Sequence, residues 1–486
     1  MKKRLLAALV ASAAVLSLAG CNNGGSSSGS TSTDSKPADG STSTSSVTKT
    51  QESKPAEDVK DDDDTLTILT WESNSDIQVQ KKFFCQKTGI AEDKINIVTV
   101  GADGGAGRDG IQNYMKGSED ADLFTMDAEW TSLFTNNNDL TLPYSEIGLS
   151  AADFPNAYKY TIDMGTAENG IFKAASFQCT PGGFVYRADL AKQYLGVNTP
   201  EEMQEKVKDW DAFKATAQTL YSASGSKTSI CATTGGLWQV YQCYRTQPWV
   251  KDGKFVMDTA ENFFDIAKEY VDNKWCANVP QWSTAWYAAV SDGTALGDFV
   301  PTWGLTTSES GSILENFAAK QAVKDADGKP TGETVGQDLA ADALAICQGP
   351  AGWYWGGTYY AVSARCNTKA TAKKWIEIFC NDDAAMKEYA EQTGDFVNNK
   401  PVMEGIINAK TNKNSKLGGQ DHFAVLNDVA NKINVTGTIT QYDSQCKTAL
   451  NNAVTALLDG KVADKAAAIN QCKKDVATAC PGVVVE

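Results

Sequence analysis

The stretch that most constrains the fold is residues 65–126, where strand-like and helix-like segments alternate. Thr65-Leu66-Thr67-Ile68-Leu69-Thr70-Trp71 has the period of a strand, Asp76 to Lys87 that of a helix, Ile95 to Val100 is a second strand, Asp109 to Met115 a second helix, and Asp122 to Met126 a third strand. Such alternation predicts an α/β protein with a parallel, doubly wound sheet. Ligands of these sheets bind beyond the carboxyl ends of the strands, which selects Trp71-Glu72 and Asp127-Ala128-Glu129-Trp130. Each loop pairs an aromatic with a carboxylate. Between them Gly101 to Asp109 is glycine-rich but lacks a phosphate-loop order, and Asp103 and Asp109 would repel phosphate, so it reads as a loop leading to a helix cap.

Further on, Gly349-Pro350-Ala351-Gly352-Trp353-Tyr354-Trp355-Gly356-Gly357 gathers four glycines, a proline and three aromatics ahead of the β-favouring run Thr358 to Val362. The knot is either a folded core turn or a wall for a flat ligand. Lys374 to Cys380 and Asp382 to Glu391 then read as two helices before Thr393-Gly394-Asp395-Phe396. This order of aromatic-glycine strand, helices and Thr-Gly-Asp-Phe loop resembles the sugar-binding branch of extracellular solute-binding proteins, family 1, which serve ATP-binding-cassette transporters. The resemblance runs from about Thr65 to the C-terminus.

It implies a two-lobe, type II periplasmic-binding-protein-like fold with hinge crossovers near Gln178 to Gly183, near Gly352 and after about Thr411. The chain would divide into a signal peptide (1–20), a disordered tether (21–64), a first lobe from 65–178 and 350–415, a second lobe from 179–349, and C-terminal helices at 416–486 that close the second lobe. The resemblance also implies a ligand site drawn from Trp71, Glu72, Asp127, Glu129 and Trp130 on one side. Trp238, Trp303, Trp353, Trp355 and, more weakly, Tyr442 would complete it. Each Trp could equally pack in a core. Trp282 and Trp286, four apart, read as one helix face, and residues 323–337 as a polar excursion.

Lys2, Lys3 and Arg4 precede an apolar run ending in Leu18-Ala19-Gly20-Cys21, which has the form of a secretory signal and resembles a bacterial lipobox. Diacylation of Cys21 would anchor the mature chain at the outer face of the cell membrane. Residues 22 to about 60 are almost free of apolar side chains and read as a tether; Asp61 to Asp64 read as part of that solvated linker. Loss of residues 1–20 leaves 41 of the 44 basic residues against 60 acidic ones, a net of about −19. That charge excludes nucleic acid as a partner and disfavours anionic substrates.

Eleven cysteines besides Cys21, with no CxxC and one histidine, His422, argue against zinc and redox chemistry; no cofactor or metal is expected. The cysteines are open to both disulfide formation and simple burial. Flat aromatics suit the C–H face of a sugar, and carboxylates suit its hydroxyl rim. The expected function is therefore binding, without turnover, of a neutral oligosaccharide by a monomer that delivers it to transporter permease subunits. A surface adhesin, and a glycoside hydrolase using Glu72 and Asp127, stay open as alternatives.

Overall fold

The computed structural model describes residues 59–71, 75–101, 104–117, 121–306, 312–325 and 328–486. Two sheets organise them. The first has five strands in the order Ile95–Thr99, Leu66–Thr70, Leu123–Asp127, Thr358–Val362, Ala174–Ser176. Its first three strands are parallel, in line with the strand-helix alternation, and Thr358–Val362 runs antiparallel to both its neighbours. Leu66–Thr70 is buried along its whole length, as a central strand covered on both faces must be. Asp122 fixes the sheet from inside: its carboxylate accepts from the backbone N–H of Thr67 at 2.8 Å and of Asn367 and Thr368 at 2.9 and 3.1 Å.

The second sheet has the order Leu344–Cys347, Gly182–Arg187, Ala295–Pro301, Ser229–Cys231. Only its last pairing is parallel, so the doubly wound description holds for the first sheet better than for the second. One apolar cluster runs through the first sheet and onto one face of the second, another fills the second sheet's other face, and helices cover both sheets. Where the caps are legible, they explain the helix starts. Thr199 accepts from Glu202 N before Pro200, Asp209 from Ala212 N, and Asn399 from Val402 N before Pro401.

The chain crosses between sheets at residues 177–181 and 348–357. These crossovers lie side by side, with Gly182 N donating to Trp353 O at 3.2 Å and Trp355 N to Thr180 O at 3.1 Å. The final helices, Asp443–Leu458 and Lys465–Ala479, then pack on the second sheet's side against Phe263–Asp272. Among the described residues no helix is long and apolar enough to cross a membrane.

Three local expectations are corrected, and a fourth, the polar excursion at 323–337, gains a structure. The glycine-rich segment is already helical from Gly104 (helix Gly104–Lys116), because Gly107 and Gly110 let the helix approach its neighbours. A Cβ on Gly107 would stand 2.2 Å from Trp71 Cβ, and one on Gly110 2.7 Å from Val100 O. Residues 323–337 lie largely in an exposed antiparallel hairpin, Gln321–Lys324 with Pro330–Val335. Trp282 and Trp286 do not share a helix face, since the Ser283 hydroxyl caps a helix that starts at Thr284 and leaves Trp282 outside it. Asp61 is not part of a free linker. Its carboxylate accepts from Ala370 N, Thr371 N and Thr371 Oγ1 at 2.7 to 3.0 Å, at the start of helix Lys369–Cys380.

Candidate ligand-binding site

The carboxyl ends of Leu66–Thr70 and Leu123–Asp127 and the amino end of Thr358–Val362 share one edge of the first sheet, because the third strand is antiparallel. That edge faces the crossovers. Asp127 ends its strand there with Oδ1 accepting from Glu129 N at 2.8 Å. Gly356, at φ +67°, passes so close that a Cβ on it would lie 3.0 Å from Asp127 Oδ2 and 3.8 Å from Trp303 Nε1. From the second sheet, Ala295–Pro301 delivers Trp303, whose indole N–H donates to Trp355 O at 3.0 Å.

Three indoles meet here. Trp303 and Trp355 have ring centroids 5.4 Å apart at 69°, Trp282 and Trp303 are 5.9 Å apart and nearly parallel at 18°, and Trp282 and Trp355 are 5.5 Å apart at 52°. Trp282 is 51% exposed and holds a φ of +68°. A bulky residue in the left-handed region costs free energy on the order of 1–3 kcal/mol, which marks the position as one held by its surroundings.

Beside this group, a cavity of about 60 Å³ is lined by Glu129, Gln239, Arg245, Tyr354, Trp355 and Asp443, among others. Lys447 pairs directly with Glu129 and lies 3.4 Å from Gln239 Oε1. Arg108 Nη1 donates to Ser444 Oγ at 3.2 Å. Helix Asp443–Leu458 of the second half therefore touches the first half at two points. The Arg245 guanidinium lies 3.7 Å from the centre of the Trp249 ring. Burial pushes the Asp443 carboxyl up to about 6, against the opposing pull of hydrogen bonds from Thr440 and the charge of Arg245. The Tyr354 ring stacks on Tyr160 at 5.3 Å, and burial raises its hydroxyl well above the usual tyrosine range.

The sequence-selected residues fall into three groups. Asp127, Trp303 and Trp355 converge directly, Glu129 joins Trp355 at the cavity, and Trp71 meets Trp130 edge-on at 6.4 Å. Trp130 is itself buried against Phe134. Tyr442 is half-buried at the start of the Asp443–Leu458 helix, its carbonyl accepting from Cys446 N. The third group is corrected to packing. Trp353, at 0% exposure, lies edge-on to Phe299 and over Gly182, where a Cβ would come within 2.3 Å of its ring. Trp238, at 1%, packs against Trp249 and Phe263 in the second core. Glu72 and Cys21 lie outside the described residues.

Sequence reasoning missed Trp282, Tyr354, Arg245, Asp443 and Lys447 as site residues. For Trp282 the signal was present: Ser283 is a good N-cap, which ends any helical reading before it. Among the described residues no three His, Cys, Asp or Glu side chains gather as a metal site. A larger space of about 880 Å³ lies elsewhere, at the edge strand Leu344–Cys347, and contains none of the sequence-selected residues.

Known structures share this architecture. A crystal structure described as an extracellular solute-binding protein family 1 aligns with a TM-score of 0.69 at 16% identity, over 85% of this chain and 99% of that one. The transporter-associated binding protein of B. animalis subsp. lactis Bl-04, solved with beta-1,6-galactobiose, aligns at 0.62 and 16% identity over 86% and 97%. The GacH receptor of Streptomyces glaucescens GLA.O, solved unliganded and with acarbose and an acarbose homolog, aligns at 0.56 and 12% identity over 84% and 97%. No curated protein sequence matches the chain. Residues 91–417, well over half of the chain, match the family model for bacterial extracellular solute-binding proteins, and the protein belongs to that family.

Proposed function

We propose that the protein captures a neutral oligosaccharide outside the cell and delivers it to the permease subunits of an ATP-binding-cassette importer. The observation that carries this reading is the meeting of Trp282, Trp303 and Trp355 beside the Asp127 carboxylate, where the two sheets approach. Rigid indoles supply flat area for sugar C–H faces, and a carboxylate accepts from hydroxyls with charge-assisted strength. The acidic balance of 60 Asp and Glu against 44 Lys and Arg favours a neutral ligand over an anionic one. Structural relatives solved with a galactobiose and with acarbose support the same ligand class.

In this reading residues 65–178 and 350–415 form one lobe, residues 179–349 with 416–486 the other, and the paired crossovers are the hinge. The Glu129–Lys447 and Arg108–Ser444 contacts hold the lobes closed over ligand. Residues 1–20 are a signal peptide, and acylated Cys21 tethers the mature monomer to the membrane.

Calorimetry against a panel of neutral oligosaccharides tests the assignment. Once a ligand is found, Trp303→Ala and Trp355→Ala should each weaken it by roughly thirtyfold, about 2 kcal/mol, with incubation releasing no cleavage product. Unchanged affinity in both variants would remove the site; product release would turn the reading to a hydrolase.

A further inference from the structure

The last two helices carry a chemistry that sugar binding does not use. Asp443–Leu458 and Lys465–Ala479 are joined by a short turn and pack along each other, so they run antiparallel, and the first turn of one lies opposite the end of the other. Cys446 sits in that first turn and Cys480 follows the last residue of the second helix. Both are buried, at 0% and 1% exposure, in the same apolar core, and their thiols are neighbours. Cys231 and Cys276 also touch, but a bridge between neighbouring extended segments explains that contact, and Cys276 Sγ already accepts from Asn278 N at 3.4 Å. No such pairing brings Cys446 to Cys480.

We propose that Cys446 and Cys480 are joined by a disulfide in the exported chain. Extracellular proteins meet an oxidising environment, and buried thiols already in contact need little movement to bond. The oxidant is a low-molecular-weight disulfide. One of the two protein thiolates attacks it, forming a mixed disulfide and releasing one small thiol; the other then attacks that protein sulfur and releases the second. Two protein thiols lose two protons and two electrons, and the small disulfide gains both to become two thiols. The exchange takes place as the hairpin closes during folding, before the core covers both sulfurs.

The bond would fasten one particular place. Cys446 lies between Ser444 and Lys447, the residues that reach Arg108 and Glu129 across the cleft. Closing residues 446–480 into a ring removes freedom chiefly from the unfolded chain.

The exported chain, folded with oxidised glutathione and alkylated without prior reduction, decides the matter by tryptic peptide mass. The expected species joins the peptide of residues 433–447 to that of residues 475–486, each with a single cysteine, and separates after treatment with a phosphine reductant. Recovery of both peptides carrying the alkyl label would overturn the proposal, as would either peptide linked to a different cysteine. The experiment needs no substituted chain and no sugar, so its outcome is independent of the ligand assignment.

Discussion

Asp298 shows how one buried residue can set the pH response of the whole chain. Its carboxyl is fully enclosed, accepts from Trp286 Nε1 at 2.7 Å and Phe299 N at 2.9 Å, and is pushed up to about 7 by burial despite those bonds. The folded state then holds a proton that the unfolded chain releases near 3.8. The stability this proton brings is complete below about pH 4 and is lost as pH rises to about 7, at up to about 1.4 kcal/mol per pH unit. Asp298→Asn should lack that slope, so urea unfolding at pH 5 and pH 7 should find the wild type losing ground to the variant as pH rises. Parallel curves for the two chains would contradict this. A second residue-scale expectation concerns Trp353, whose truncation to alanine should cost about 3 to 5 kcal/mol of stability by chemical denaturation. Wild-type stability would contradict its place in the core. The same contrast shows what was legible. Trp353 and Trp355 are two apart, and local pattern gives both the same standing. What separates them is Gly182, far away in sequence, which makes room for the Trp353 ring while Trp355 meets Trp303.

At the scale of elements, the sequence was clearest where local chemistry decides. The alternation over 65–126 placed three strands and the first helix closely, and Asp382 and Asp209 announce the helices that follow them. It was least clear where a neighbour overrides propensity. Gly105, Gly107 and Gly110 carry glycine's entropic cost into a helix; the closeness of Trp71 explains Gly107 and that of Val100 explains Gly110, while nothing crowds Gly105. Strand direction in the second sheet was likewise hidden, since periodicity does not say which neighbour a strand will choose. Of the candidate site, the Trp303–Trp355–Asp127 convergence was recoverable from residue type and strand ends; Ser283 could have taken Trp282 out of the helix, but not shown that its ring meets Trp303 and Trp355.

At the scale of the molecule, the proposed hinge would bend both crossovers together. Thr180 and Trp355 are hydrogen-bonded, so opening the cleft rotates both segments about one axis. Ligand should therefore shrink the radius measured by small-angle scattering, and Lys447→Met, which removes the partner of Glu129, should weaken ligand by a few fold, on the order of 0.5–1 kcal/mol for a half-buried pair. An unchanged radius in a sample that binds would count against closure.

The strand Thr358–Val362 sits between Leu123–Asp127 and Ala174–Ser176, yet everything that builds the second sheet is translated between Ser176 and Thr358. A chain emerging N-terminus first thus presents an unfinished sheet with two unpaired inner edges while the whole second sheet emerges. Those edges are open to pairing with other chains until Thr358–Val362 arrives. The order of synthesis leaves the first sheet open until all strands of the second have been made, and that delay is a window in which a holding chaperone would matter most.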